Sequence, residues 1–182
     1  MSGPRILIVE DDADNGRSLV EAIGDLGYET ELAATGGAGV AAFRAQGADV
    51  VLTDLVLPDV DGIEVMKRIR ELDAGRTPVI LMTAYGSVDS SVRAMKEGAY
   101  DYLQKPLDVD DLQAKLGRAL EAARLRKQVE TLNGEIRGKW SAQTWVAESP
   151  AMREVVRQTL ALAQTTATVL VRGESGTGKE LV

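Results

Sequence analysis

The chain contains no cysteine and no histidine among its 182 residues. Without cysteine there are no disulfides and no thiolate metal sites, a composition that suits a reducing cytoplasm. Without histidine as well, any bound metal must be held by oxygen, which points to magnesium, manganese or calcium rather than zinc. No apolar run approaches the roughly twenty residues that a membrane-spanning helix needs. The opening MSGPRILIVEDD lacks a basic head, an apolar stretch and a small-residue cleavage site, so no secretion signal is expected. Clustered positive charge is missing from the first part. Residues 1–107 carry 18 acidic and 10 basic side chains, a net of −8, whereas residues 108–182 carry 10 and 11, a net of +1. An acidic first domain is a poor surface for nucleic acid, where phosphates must be neutralised by Lys and Arg. The rest, 45% hydrophobic and 27% charged, is the balance of a soluble globular protein with one full domain and part of a second.

Short apolar runs recur at Ile6–Val9, Tyr28–Ala33, Asp49–Thr53, Val79–Thr83 and Tyr100–Leu103. Helical patterns lie between them, at about 13–26, 36–46, 63–72, 87–97 and from 108 onward, as in the spacing of Leu19, Ile23 and Leu26 or of Val65, Ile69 and Leu72. Alternation of this kind predicts a parallel sheet covered on both faces, and ILIV and VVLTD are apolar throughout, as doubly buried strands should be. The expected fold is α/β: a doubly wound, five-stranded, flavodoxin-like parallel sheet, then a long linker helix and a truncated α/β P-loop domain. Ligands in such a sheet sit beyond the carboxyl ends of the strands. Those ends deliver Glu10-Asp11-Asp12, Asp54, Thr83-Ala84 and Lys105-Pro106 to one rim.

Carboxylates gathered in neutral water repel one another unless a cation sits among them. Glu10, Asp11 and Asp54 would therefore suit a hard divalent ion, with magnesium the natural occupant. Lys105 adds a fixed positive charge and Thr83 a hydroxyl donor, so the rim could take a phosphoryl group onto an Asp carboxylate and hold it. Taken singly, each feature has a plainer reading: Glu10-Asp11-Asp12 as a loop or helix cap, Asp54 as a loop cap, Lys105-Pro106 as a turn. Their convergence favours the chemical one.

The stretches ILIVEDD (6–12), VVLTDLVLPDVDG (50–62), PVILMTAYG (78–86) and GAYDYLQKPL (98–107) carry a resemblance. Residues 5–125 resemble the receiver domain of bacterial two-component response regulators. The resemblance implies that Asp54 is the phosphoacceptor, and that Asp11, Asp54 and the backbone carbonyl of Val56 bind Mg2+, with Glu10 acting directly or through water. It implies that Thr83 and Tyr102 form a switch pair, that Ala84 and Lys105 stand beside the phosphoryl group, and that the bond before Pro106 is cis. A phosphoryl group would draw Thr83 inward and vacate space for Tyr102, a shift of populations rather than an on–off event. Kinase choice is expected in the first helix, at residues such as Asn15, Ser18 and Leu19.

From Asp108 the pattern predicts a long helix. Leu112, Leu116, Ala119 and Ala123 are placed to pack on the first domain. Ala122, Leu125, Val129, Leu132 and Ile136 follow the 3–4–3–4 spacing of a short coiled coil, weakened at its end by Gly134 and Gly138. This predicts a dimerising linker, against the plainer alternative of an amphipathic helix covering the sheet. Ser149-Pro150 signals a further helix over about 151–164, followed by a strand at Thr168–Arg172 and the loop GESGTGKE, 173–180. That loop fits the phosphate-cradling P-loop pattern through Gly173, Glu174, Ser175, Gly176, Thr177, Gly178 and Lys179, but has Glu180 where a Ser or Thr is usual. SPAMREVVRQTLALAQTTATVLVRGESGTGKELV (149–182) resembles the start of the AAA+ ATPase domain in sigma-54-dependent transcription activators of the nitrogen regulatory protein C type, where that Glu is usual.

The expected organisation is a receiver at 1–122, a helical linker at 123–144 and the beginning of an AAA+ sigma-54 interaction domain at 145–182. The expected function is a phosphorylation-dependent switch, loaded at Asp54 by a sensor histidine kinase. Mg2+ would be its cofactor, a homodimer its assembly and the cytoplasm its location, without contact to a membrane. ATP and RNA polymerase with sigma-54 would be engaged only by a longer protein. This chain itself is expected neither to hydrolyse ATP nor to bind specific DNA, and to be no turnover enzyme beyond its own phosphorylation and dephosphorylation. The alternative is a stand-alone receiver serving as a phosphorelay or partner-binding module.

Overall fold

The structure is a computed structural model that describes residues 3–84, 93–139 (side chains to 131), 148–162 and 168–174. It divides into two compact units, residues 1–127 and 128–182.

In the first unit the strands are β1 (Arg5–Val9), β2 (Glu29–Ala33), β3 (Val50–Asp54), β4 (Val79–Thr83) and β5 (Asp101–Gln104). They form one parallel sheet in the order β2-β1-β3-β4-β5. The helices are α1 (Ala13–Asp25), α2 (Gly36–Gln46), α3 (Gly62–Asp73) and α4 (Val109–Lys139), with residues 93–96 also helical between β4 and β5. Each labelled helix starts at a side chain that accepts one of its orphan N–H groups. Asp12 takes those of Asp14 and Asn15, both at 2.9 Å, Thr35 that of Ala38 at 3.1 Å, and Asp61 that of Glu64 at 2.8 Å. Asp108 accepts from Asp111 at 3.0 Å.

The period-two geometry of the strands sorts their side chains into two cores. Leu7, Val9, Val51, Val79 and Leu81 pack with Val40 and Phe43 of α2 and Val65, Met66 and Ile69 of α3. Ile6, Ile8, Val50, Leu52, Ile80, Met82 and Leu103 pack with Leu19 and Ile23 of α1 and Leu112, Leu116 and Ala119 of α4. Every residue of β3 and β4 is buried, the signature of strands covered on both sides. The start of α4 thus packs on the sheet as its spacing predicts, while Ala123 is half-buried and Leu125 and Val129 are exposed. The helix runs through Gly134 and Gly138 to Lys139. The side chains of Leu132 and Ile136 lie outside the described residues.

In the second unit α5 (Pro150–Leu162) begins at Ser149, whose hydroxyl accepts the N–H of Met152 at 3.2 Å. The strand expected at Thr168–Arg172 is not there: residues 168–174 adopt neither strand nor helix. Val169, Leu170 and Val171 are exposed, so the run is apolar enough for a strand but has no neighbouring strand among the described residues to close its hydrogen bonds.

Candidate functional site

The order of the sheet reverses between β1 and β3, so their carboxyl ends stand side by side at the crevice where such sheets hold ligands. β1 runs out at Val9, and Glu10 follows with its N–H bonded to the carbonyl of Ala33 at 3.0 Å. Asp54 is the last residue of β3. Carboxylate oxygens of Glu10, Asp11 and Asp54 lie within 4.8 Å of one another, Glu10 and Asp54 buried and Asp11 exposed. Lys105 reaches in from beyond β5, its Nζ 2.7 Å from Glu10 Oε2 and 2.5 Å from Asp54 Oδ2. Burial works against the charge on Lys105, but its hydrogen bonds to Asp54 and Glu10, and their charges, together outweigh it and hold the amine above the usual lysine range. The second oxygen of Asp54 accepts the N–H of Val56 at 3.1 Å.

The residues singled out at the strand ends therefore do come together. Thr83 closes β4 as a buried polar side chain, and Ala84 follows it, exposed. Tyr102 is half-buried in β5, one strand further out. Val56 is exposed directly after the strand. The Lys105–Pro106 peptide bond is cis. The donor set is all oxygen, clustered and partly buried, which suits a hard divalent cation. Beside it a cavity of about 540 Å³ is lined by Asn15, Ser18 and Leu19 of α1 and by Lys105, Pro106 and Val109.

Of the P-loop residues, Gly173 and Glu174 are exposed, while Ser175, Gly176, Thr177, Gly178, Lys179 and Glu180 lie outside the described residues.

Three features escaped the reading of the sequence. Asp59 accepts the N–H groups of Gly36 at 2.9 Å and Gly37 at 2.7 Å, tying the loop after β3 to the start of α2. Lys115 of α4 donates to the carbonyl of Tyr102 at 2.6 Å and stands 5.0 Å from its ring centroid, a cation–π contact. Arg126 donates to the carbonyls of Gly75 at 3.4 Å and Arg76 at 3.2 Å. Only the first had a local signal, a pair of glycines opening a helix.

Comparison with known proteins agrees with the geometry. Residues 145–182 match the sigma-54 interaction domain. The chain is 40% identical over 178 residues to the regulatory protein AtoC of Escherichia coli, covering 98% of this chain and 38% of that protein. It is 42% identical over 185 residues to the transcriptional regulatory protein ZraR of Klebsiella oxytoca, covering 100% of this chain and 40% of that one. It thus spans about two fifths of the length of these relatives. A solved CheY-like response regulator receiver domain protein from Methanospirillum hungatei superposes with a TM-score of 0.64 at 34% identity, covering 69% of this chain and 99% of that structure. Residues 6–117 match the response regulator receiver domain, and the chain belongs to that family.

Proposed function

We propose that this chain is the regulatory part of a two-component transcription activator, in which Asp54 accepts a phosphoryl group from a sensor histidine kinase. The observation that carries the reading is the convergence of Glu10, Asp11 and Asp54 on one rim with Lys105 among them. Mg2+, held by Asp11, Asp54 and the Val56 carbonyl with Glu10 nearby, would neutralise charge on the phosphoryl oxygens during transfer.

The residues of the chain do the rest. Asp54 Oδ2 is held by the Lys105 ammonium, Oδ1 by a backbone amide. A swing of the Lys105 amine from Asp54 to an incoming phosphoryl oxygen frees Oδ2 as the nucleophile. The new bond forms between Oδ2 and phosphorus as the phosphorus–nitrogen bond of the kinase phosphohistidine breaks, and the imidazole leaves with the electron pair. The 540 Å³ cavity beside Lys105 is suited to the docking of that kinase. Thr83 and Ala84 flank the product, and Tyr102 answers the movement of Thr83.

The match of residues 145–182 to the sigma-54 interaction domain supports an output in sigma-54-dependent transcription. In the longer protein that domain would bind ATP and contact RNA polymerase with sigma-54. The exposed Leu125 and Val129 support a homodimer through α4. The reading divides the chain into a receiver at 1–122, a linker at 123–144 and the sigma-54 segment at 145–182, places it in the cytoplasm, and gives it no activity beyond phosphorylation and dephosphorylation of its own Asp54. No helix among the described residues is long and apolar enough to cross a membrane.

Mass spectrometry of the chain after incubation with acetyl phosphate and Mg2+ tests the proposal. A gain of one phosphoryl group is expected, absent in Asp54→Asn and absent with EDTA. A label that persists in Asp54→Asn would place the acceptor elsewhere and sink the assignment.

A further inference from the structure

The loop between β3 and α3 carries Val56, whose N–H holds one oxygen of Asp54 at 3.1 Å. That loop is pinned at both roots. The N–H of Leu55 bonds the carbonyl of Met82 at 2.8 Å, and the N–H of Gly62 bonds the carbonyl of Leu55 at 2.9 Å. A Cβ on Gly62 would stand 2.1 Å from the carbonyl oxygen of Asp54, so the closure needs glycine.

The far side of the loop is held by Asp59. Its two carboxylate oxygens accept one N–H each, from Gly36 at 2.9 Å and from Gly37 at 2.7 Å. These are the first two amides of α2, orphan donors at the positive end of a helix dipole. The approach is close: a Cβ on Gly36 would lie 2.4 Å from Val60 Cγ2 and 2.7 Å from Val65 Cγ2. A carboxylate answering two amides in a fixed fork sets both the position and the orientation of the loop, whereas a single bond would leave it free to pivot.

Building on the proposed function, we infer that Asp59 is a positioning residue for the phosphorylation site: by clamping the loop 55–61 to the start of α2 it holds Val56 and the Asp54 carboxylate in the arrangement that takes up Mg2+. Asp59 does not touch the acidic cluster itself. It acts through three residues of backbone, as outer groups around metal sites generally do.

The test measures phosphorylation of the full chain by acetyl phosphate as a function of Mg2+, for wild type, Asp59→Ala, Asp59→Asn and Thr35→Ala, with Mg2+ binding followed separately by calorimetry. Asp59→Ala should raise the half-saturating Mg2+ by roughly tenfold, the lower end of what outer-group substitutions cost metal sites. Its rate at saturating Mg2+ should stay within about twofold of wild type, because the loss is in binding rather than in the chemical step. Asp59→Asn keeps the shape and one acceptor oxygen and should fall between the two. Thr35→Ala removes the hydroxyl that caps the same helix at Ala38, so it should lower the unfolding temperature and leave the Mg2+ requirement where it was. An Asp59→Ala chain with unchanged Mg2+ requirement, or a Thr35→Ala chain whose requirement rises as much, overturns the inference while wild type remains phosphorylated. A wild type that accepts no phosphoryl group overturns the functional reading, and this inference with it.

Discussion

Replacing Lys105 by methionine keeps the length of the side chain and removes its charge. The Glu10 side chain is 1% exposed and that of Asp54 12%, against 17% for Lys105. Removing one partner from a buried charge cluster leaves the others uncompensated, a cost of about 3–5 kcal/mol. Asp54 keeps its bond from Val56, and the rim is not wholly dry, so the lower end applies, about 3 kcal/mol. For a compact unit spanning residues 1–127, that corresponds to a fall of roughly 10 °C in Tm. Mg2+ bound as proposed would supply positive charge to the same oxygens, so it should stabilise the variant more than the parent and close roughly half of the gap. Thermal unfolding followed by circular dichroism, once in EDTA and once in saturating Mg2+, measures both quantities. A gap of the same size in the two buffers, or a variant as stable as the parent in EDTA, would refute the idea that the amine and the cation serve the same cluster.

Two further outcomes follow from packing and charge. Leu116 of α4 is wholly buried against the sheet, so Leu116→Ala should cost about 3 kcal/mol in urea unfolding by emptying part of that core. Asp12 and Asp59 are both held below the usual 3.8, in each case chiefly by backbone N–H groups, those of Asn15 and Asp14 for the first and of Gly37 and Gly36 for the second. Because their folded values are depressed, their contribution is complete at neutral pH and is lost as pH falls below about 3.8 through those values. Wild type should therefore lose its advantage over Asp12→Asn as pH falls from about 3.8 downward, and a difference that stays constant through that fall would count against a charged cap.

The fold was legible because its inner strands β1, β3 and β4 are short, mostly apolar runs separated by helical patterns, and a run such as ILIV has few other uses in a chain of this length. The rim was legible for a simpler reason: a parallel sheet sends every strand end to the same side, so Glu10, Asp54, Thr83 and Lys105 needed only correct strand assignments to meet. What misled was Thr168–Arg172, whose side chains suit a strand but whose backbone pairs with no strand among the described residues, a property of the surroundings rather than of the segment. The glycines of α4 also counted for less than their propensity suggests, since the helix continues through Gly134 and Gly138. Asp59 was hidden at its own position because its partners lie 22 and 23 residues upstream; the local signal lay at those partners, the glycines that open α2. PDVDG reads locally as a turn, and only the fold reveals that its first carboxylate caps a neighbouring helix.

β3 has hydrogen-bonded strands on both sides, β1 on one and β4 on the other. Asp54 therefore stands at the end of the central strand of the sheet, where backbone amides should exchange slowly with solvent. A centre that cannot yield can still report, provided the yielding happens elsewhere. β5 lies at the edge of the sheet and pairs with β4 alone. Its Tyr102 is gripped by Lys115, which is itself paired with Asp111 on the same helix. With phosphorylation at Asp54 as proposed, the chemistry would be anchored in the middle and its echo would travel to the margin, so slow exchange at β3 combined with a phosphorylation-dependent rise at β5 is the expected pattern.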